Sequence, residues 1–186
     1  MHWLGRLLLA AILLIPVPAL ADDVYTQVYL SEPDAIKVIF PGETTVERRT
    51  VVPTAAQRTQ IERHLGRRLP EGGVPFLIGR KGGKIDAYGL ILDEIGKHDP
   101  ITFIACITPD LRVRDLAVMV FRERRGDGVR RRRFLAQFPG KNLDDKLMLA
   151  QDIIPIAGST MSSVAITAGV RRALAETGVL MLGKSL

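Results

Sequence analysis

The 186-residue chain carries 26 basic and 20 acidic residues, a net charge of +6, and 47% of its residues are hydrophobic. This length suits one domain with a hydrophobic core large enough to fold without disulfides or other covalent cross-links. Cys106 is the single cysteine, which excludes an internal disulfide, so stability must come from packing. Cys106 lies in a strand-like apolar run and is predicted to be a small buried hydrophobe.

The N-terminus has the pattern of a secretory signal peptide. Arg6 precedes an apolar run over residues 7–15, and an A-x-A cleavage motif ends at Ala21. The run is shorter than the roughly 20 residues that a membrane-spanning helix needs, and Pro16 and Pro18 follow it. Cleavage after Ala21 is therefore predicted, with an uncleaved anchor as the alternative. We therefore expect a periplasmic or extracytoplasmic protein, with association with the membrane as an option, and we do not expect nucleic acid as a partner.

The positive charge is concentrated in one place. Losing Arg6 with the leader leaves 25 basic residues against 20 acidic ones. Seven arginines lie between Arg122 and Arg133. Such a cluster indicates a local anionic partner, for example lipid headgroups, although runs of like charge are often only solvated loops.

Two short helices are predicted in the first part of the chain. Ser31–Asp34 is a capping box that opens a helix with Ala35, Val38 and Ile39 on one face, before the stop at Pro41. Thr54–Gln57 repeats the capping pattern, and the second helix is predicted to reach about Leu65, with Gly66 after it. The stretch between the helices, Val46–Val52, is a predicted strand.

The middle of the chain has the pattern of consecutive hairpins. A strand around Phe76–Ile78 is followed by a glycine turn and a strand over Ile85–Leu92. Ile101–Thr108 and Val113–Phe121 form the second predicted hairpin. The fold class is therefore α+β, an antiparallel sheet of about four strands or more packed against helices in a single domain.

Beyond the sheet, a helical stretch over Arg133–Phe138 is predicted first, and then a hydroxyl-rich turn, Gly158–Ser163, leads into the last helix. That helix is predicted to end at Gly178. Its apolar face consists of Ile166, Val170, Ala173 and Leu174. Free backbone N–H groups and the helix dipole make such an entrance attractive to phosphate. Capping by Ser162 or Ser163 explains the same residues without a ligand.

Residues 156–174, which read IAGSTMSSVAITAGVRRAL, resemble the end of the FMN-binding domain family. That family includes the periplasmic flavin subunits of the Rnf complex and of the sodium-pumping NADH:quinone reductase. Its motif is Asp, two variable residues, Ser or Thr, and then Gly-Ala-Thr, where the threonine carries FMN through a phosphoester bond. Thr160 stands at that threonine position, whereas Ile154, Ala157 and Ser159 replace the motif Asp, Ser or Thr, and Ala. Covalent and non-covalent binding of FMN both remain open.

Three upstream stretches are similar to landmarks of the family in the expected order. They are Gly96–Phe103, Phe121–Glu123 with Gly128–Arg130, and Arg133–Lys141. The resemblance covers about the last half of the chain and extends more loosely to the region before Gly72. The predicted organisation is a signal peptide over residues 1–21, an N-terminal helical and strand portion over 22–71, and an FMN-binding domain over 72–180.

The resemblance implies an exported FMN-binding flavoprotein that carries electrons between membrane or periplasmic redox partners, rather than a stand-alone enzyme. A flavin transferase would attach FMN, taken from FAD, to Thr160. The cofactor-binding residues implied are Thr160, Ser159, Gly158, Ser162, Ser163, Arg122, Glu123, His98 and Lys141. Anionic lipid is a further expected partner of the segment from Arg122 to Arg133.

A second function class fits the sequence as well. The missing motif Asp is compatible with a cofactor-free module that uses its basic loop on a membrane surface or an acidic protein. The sequence has no Cys/His cluster, no Gly-x-Gly-x-x-Gly turn and no nucleophile elbow, so metal, dinucleotide and serine-hydrolase sites are not predicted.

Overall fold

The computed structural model describes residues 25–42 and 44–186, so the predicted leader lies outside the described residues. The strands are β1 (Gln27–Val28), β2 (Thr45–Val51), β3 (Val74–Lys81), β4 (Lys84–Ile95), β5 (Pro100–Ile107) and β6 (Val113–Phe121). The helices are α1 (Glu32–Ile39), α2 (Ala55–Leu65), α3 (Arg132–Leu135) and α4 (Thr160–Met181). A 3₁₀ turn over Asp127–Arg130 precedes α3.

The six strands form one antiparallel sheet in the order β1-β6-β5-β4-β3-β2. Strands β3 to β6 make the predicted meander, with Leu90 opposite Ala105 and Ile104 opposite Ala117 in the central pairs. Strands β1 and β2 extend the sheet at its two edges. The α+β prediction is confirmed, with two strands more than the four that the hairpin pattern indicated.

Alternating side chains give the sheet two apolar faces, and helices cover both. On one face, Phe76 and Phe103 pack in the main core with the buried residues of α4. On the other face, Ile104 and Cys106 pack against α1. Helix α2 lies outside α4, against which Ile61 is buried. The sheet and α4 therefore form the central layers of the molecule.

The first two helices begin where their caps predict. The Ser31 hydroxyl accepts from Asp34 N at 3.3 Å, and Thr54 and Gln57 form a reciprocal capping box. In α1, however, Val38 is 46% exposed, so its predicted place on the buried face is wrong. The buried stripe of α1 runs through Ala35 and Ile39, with Ile36 partly buried beside it, and Val38 lies on the other side of that stripe.

Helix α4 is longer than predicted. The predicted apolar face is buried, but the helix passes through Gly178 and ends at Met181, so the stop at Gly178 is wrong. A glycine inside a helix costs only about 1 kcal/mol relative to alanine. That cost is too small to end a helix that packs on the sheet on one side and on α2 on the other. Among the residues described, no helix is both long and apolar enough to cross a membrane.

Candidate cofactor site at the start of the last helix

The turn before α4 leaves the Thr160 side chain at the surface. Gly158 adopts a φ of +76°, a left-handed conformation that suits glycine, and Ser159 N donates to Ile156 O at 2.9 Å. Ser159 is the N-cap residue but makes no side-chain capping hydrogen bond. Thr160 follows as the first helical residue and is exposed. The start of α4 therefore combines an exposed hydroxyl with N–H groups that Ser159 does not cap.

The three serines around Thr160 point into the protein. Ser159, Ser162 and Ser163 are all buried. The Ser163 hydroxyl donates to Ser159 O at 2.8 Å and accepts from Ile156 N at 3.4 Å, which steadies the entrance of the helix from within. Within residues 159–163, Thr160 is thus the hydroxyl that faces solvent.

Two glycines let the arginine-rich segment lie against this helix entrance. A Cβ atom on Gly126 would come within 2.4 Å of the Ser162 Oγ, and one on Gly128 would come within 3.0 Å of the Ser159 Oγ. The loop after β6 and the start of α4 are therefore in direct contact.

Arg122 and Glu123 hold the turn between β4 and β5. The Arg122 guanidinium donates to Pro100 O at 2.9 Å and to the Thr102 hydroxyl at 2.8 Å. The Glu123 carboxylate accepts from His98 N at 2.7 Å and from Asp99 N at 3.2 Å. The structure thus brings Arg122, Glu123 and His98 together, with the His98 side chain exposed.

Lys141 belongs to a different cluster. Its ammonium contacts the carboxylates of Asp145 and Asp152, each at 3.2 Å. Asp152 also accepts from Leu147 N and Met148 N at 3.0 and 2.9 Å. These bonds fold the loop that leads to α4.

A cleft of about 550 Å³, which we call the α4 cleft, lies along the first turns of α4. Its walls come from α4, from the end of β4 and from the α2–β3 loop. The lining residues are Val164, Ala165, Ala168 and Arg172, then Asp93, Glu94 and Ile95, and finally Arg67, Arg68, Leu69 and Pro70. Residues four apart on a helix are neighbours on one side, so Thr160 lies one turn before Val164 at the end of this wall.

An ion network forms one side of the α4 cleft. Arg67 binds Glu94 through two hydrogen bonds of 2.6 Å each. Arg172 lies 3.5 Å from the same carboxylate and donates to Glu176 Oε1 at 2.8 Å. Glu176 is fully buried and its Oε2 has no partner among the described residues. Burial raises the pKa of the Glu176 carboxyl, against the opposing effect of Arg172.

Sequence reasoning pointed to Thr160 as a candidate but gave no sign of the cleft and its ion network. Arg67 and Glu94 are separated by 27 residues, and only the packing of α2 and its following loop beside β4 brings them together. Exposed apolar side chains mark the cleft in the structure, since Ile95 is 62% and Val164 45% exposed. Such exposure is visible only once the elements are placed.

The other arginines of the segment face solvent. Arg130 pairs with Asp127 at 3.3 Å and lies 4.7 Å from the centre of the Tyr29 ring. Arg131, Arg132 and Arg133 follow it, and all three are exposed. The predicted helix over Arg133–Phe138 is only the four-residue α3, because the backbone after Leu135 turns more tightly: Gln137 N donates to Phe134 O and Phe138 N to Leu135 O, each at 3.2 Å, before Pro139.

Comparison with known proteins adds no assignment, since no protein-family model and no curated protein matches this chain. The candidate site therefore stands on its own geometry: an exposed threonine at a helix entrance, next to a cleft lined with arginines.

Proposed function

We infer that this chain is an exported FMN-binding electron carrier, with the FMN phosphate at Thr160 and the ring system in the α4 cleft. The observation that carries this proposal is the exposed Thr160 hydroxyl at the start of α4, one helical turn from the cleft. The resemblance of residues 156–174 to the end of the FMN-binding domain family supports the same ligand.

The residues present fit the phosphate of FMN. Backbone N–H groups at the start of a helix, together with the helix dipole, stabilise an anion. At α4 the N-cap side chain does not compete for those N–H groups, and Gly158 keeps the approach free of a side chain. A phosphate ester on Thr160 would lie beside these donors.

The α4 cleft fits a planar ring. Its volume lies within the range of about 300–1,000 Å³ that small-molecule sites occupy. Ile95, Val164 and Ala168 provide apolar walls. Three guanidinium groups against two carboxylates give the lining a net positive charge, which favours an anionic or electron-rich ligand. Bound FMN supplies the transfer of one or two electrons, and the protein supplies position and charge.

Covalent attachment would use the Thr160 hydroxyl as nucleophile. Its oxygen forms the new bond to the phosphorus of the FMN moiety of FAD, the bond between the two phosphates breaks, and AMP leaves. The hydroxyl proton passes to a base of the transferase. Exposure of Thr160 satisfies the one structural demand of this step, which is access for a second protein.

The test is flavin content after co-expression with a flavin transferase. We expect the purified chain to show flavin absorbance that survives acid precipitation and a fluorescent band on a denaturing gel. Thr160→Ala should lose the acid-stable flavin, whereas Thr59→Ala, at an exposed position of α2, should keep it.

Binding in the cleft is tested separately from attachment. In the Thr160→Ala chain, titration with free FMN measures the non-covalent site alone. Adding Ala168→Phe fills the cleft and should weaken that binding while the circular dichroism spectrum stays unchanged. A chain that neither acquires flavin from the transferase nor binds free FMN overturns the proposed function.

A further inference from the structure

Five exposed arginines lie in one segment of the chain, between the end of β6 and the turn after α3. They are Arg124, Arg125, Arg131, Arg132 and Arg133, which we call the basic face. None of the five forms an ion pair with a described residue; the nearby Asp127 is paired with Arg130 instead. The basic face is therefore a concentration of positive charge that the fold itself leaves unbalanced.

The basic face is held by buried anchors rather than carried on a loose loop. Val129, Phe134 and Phe138 are fully buried in the main core. Gly128 is buried as well and packs directly against Ile156 in front of α4. A run of like charges that is only solvated needs no buried anchors. Because the core fixes the backbone that carries these arginines, we infer that they have a binding role.

An exposed aliphatic side chain is tied to the segment that carries these arginines. The Gln137 side chain, two residues after the end of α3, makes two hydrogen bonds with the backbone of Ile154, at 2.8 and 3.0 Å. The side chain of Ile154 is nevertheless 74% exposed. Arginines beside protruding aliphatic residues are the combination that binds an anionic membrane surface, with charge at the headgroups and apolar groups below them.

We propose that the basic face, with Ile154, docks the protein on the surface of anionic phospholipid membranes. An acidic protein would explain the arginines but gives no role to an isoleucine that the fold holds out in solvent. This inference does not depend on flavin, because the basic face and the α4 cleft share no lining residue.

The fold offers a control for charge alone. Lys81 and Lys84 are exposed and make no described ion pair. They lie at the β3–β4 turn, whereas β6 ends beside the start of β5 at the opposite end of the sheet. Removing both lysines therefore lowers the net charge by the same two units as removing two arginines, but far from the basic face.

The experiment is cosedimentation with vesicles made of equal parts of phosphatidylglycerol and phosphatidylcholine. It uses the chain from Asp22, because every described element and core residue lies within it. Each arginine at an anionic surface contributes a factor of about five to partitioning, so Arg131→Gln with Arg133→Gln should weaken binding about thirtyfold. Ile154→Ser should weaken binding several-fold at unchanged charge.

Two controls and their outcomes make the assignment falsifiable. Lys81→Gln with Lys84→Gln should leave binding within about a factor of three, and pure phosphatidylcholine vesicles should not sediment the protein. Equal losses from the lysine and arginine pairs would show that only net charge matters and would overturn the proposal. Binding to soluble polyglutamate as strong as to vesicles, with Ile154→Ser without effect on either, would assign the surface to acidic proteins and also overturn it.

Discussion

Replacing Gly169 with alanine tests how closely α4 lies on the sheet. A Cβ atom on Gly169 would be 2.4 Å from the Phe103 Cζ and 2.8 Å from the Glu94 Cγ. Phe103 is fully buried and Glu94 is bonded to Arg67, so neither neighbour has room to move aside. The backbone of Gly169 is helical, so the effect measures packing rather than strain.

The expected magnitude combines two opposing effects. Alanine in place of glycine stabilises a helix by about 1 kcal/mol. Forcing an extra methyl group into a packed core costs about 1–3 kcal/mol, and a contact at 2.4 Å belongs at the upper end of that range. We therefore expect Gly169→Ala to lower the free energy of unfolding by about 2 kcal/mol, which corresponds to a fall in Tm of roughly 4–8 °C.

Gly178→Ala is the matched control in the same helix. There the new Cβ atom would be 3.2 Å from the Leu111 Cδ2, a contact that a movement of a few tenths of an ångström relieves. The helix-propensity gain of about 1 kcal/mol should offset this contact, so the variant should be as stable as the parent or slightly more stable. The two substitutions should differ by about 2 kcal/mol or more.

Urea and thermal unfolding followed by circular dichroism provide the assay, because the one tryptophan, Trp3, lies in the predicted leader. A second variant, Phe103→Leu, shortens the side chain that Gly169 faces. The cost of Gly169→Ala should fall by at least about 1 kcal/mol in that background. If Gly169→Ala stabilises the protein as much as Gly178→Ala does, the close seating of α4 on β5 is refuted.

Three further predictions concern ionisable groups. Burial raises the pKa of the Cys106 thiol to about 12, so it should react with a thiol reagent only after unfolding; labelling of the native protein at the rate of a free thiol would contradict this. Because the pKa of Glu176 is raised in the folded state, its contribution to stability is lost as the pH rises above the ordinary value of 4.5. In urea unfolding, Glu176→Gln should thus raise the free energy of unfolding by about 1–2 kcal/mol over the parent at neutral pH and leave it unchanged at acid pH. A gain in stability that grows towards acid pH would contradict a raised pKa of Glu176. Partial burial disfavours the Asp152 carboxylate, but the N–H groups of Met148 and Leu147 and the Lys141 ammonium outweigh it and lower the pKa of Asp152. The stability that the Asp152 carboxylate contributes is therefore lost as the pH falls below the pKa of an ordinary aspartate. Asp152→Asn should cost about 1–2 kcal/mol at neutral pH in the same measurement, and an unchanged midpoint would show that the loop does not need the charge.

Local sequence signals predicted the elements that depend on local chemistry. The caps at Ser31 and Thr54 and the left-handed Gly66 place the ends of helices, because a cap is a hydrogen bond or a turn within a few residues. Short apolar runs separated by turn residues predicted the four meander strands, since both signals lie within each strand and its turns. Thr160 as the surface hydroxyl of the last helix entrance was likewise within reach of the sequence.

Other features could only follow from tertiary packing. The sequence around Gly178 predicts the end of a helix, yet α4 continues through Gly178 because it packs on the sheet and on α2. Ser162 looks like a capping residue, yet contact with the glycines of the arginine-rich loop turns it inwards.

The α4 cleft is the clearest case of a site that the sequence could not show. Its walls come from a loop after α2, the end of β4 and the start of α4, which are far apart along the chain. The sequence by itself determined where the two capped helices begin, roughly where the four meander strands lie and which threonine stands at the entrance of the last helix. The tertiary structure decided which side chains surround that threonine, because such contacts depend on how distant segments pack and leave no periodic pattern in the sequence.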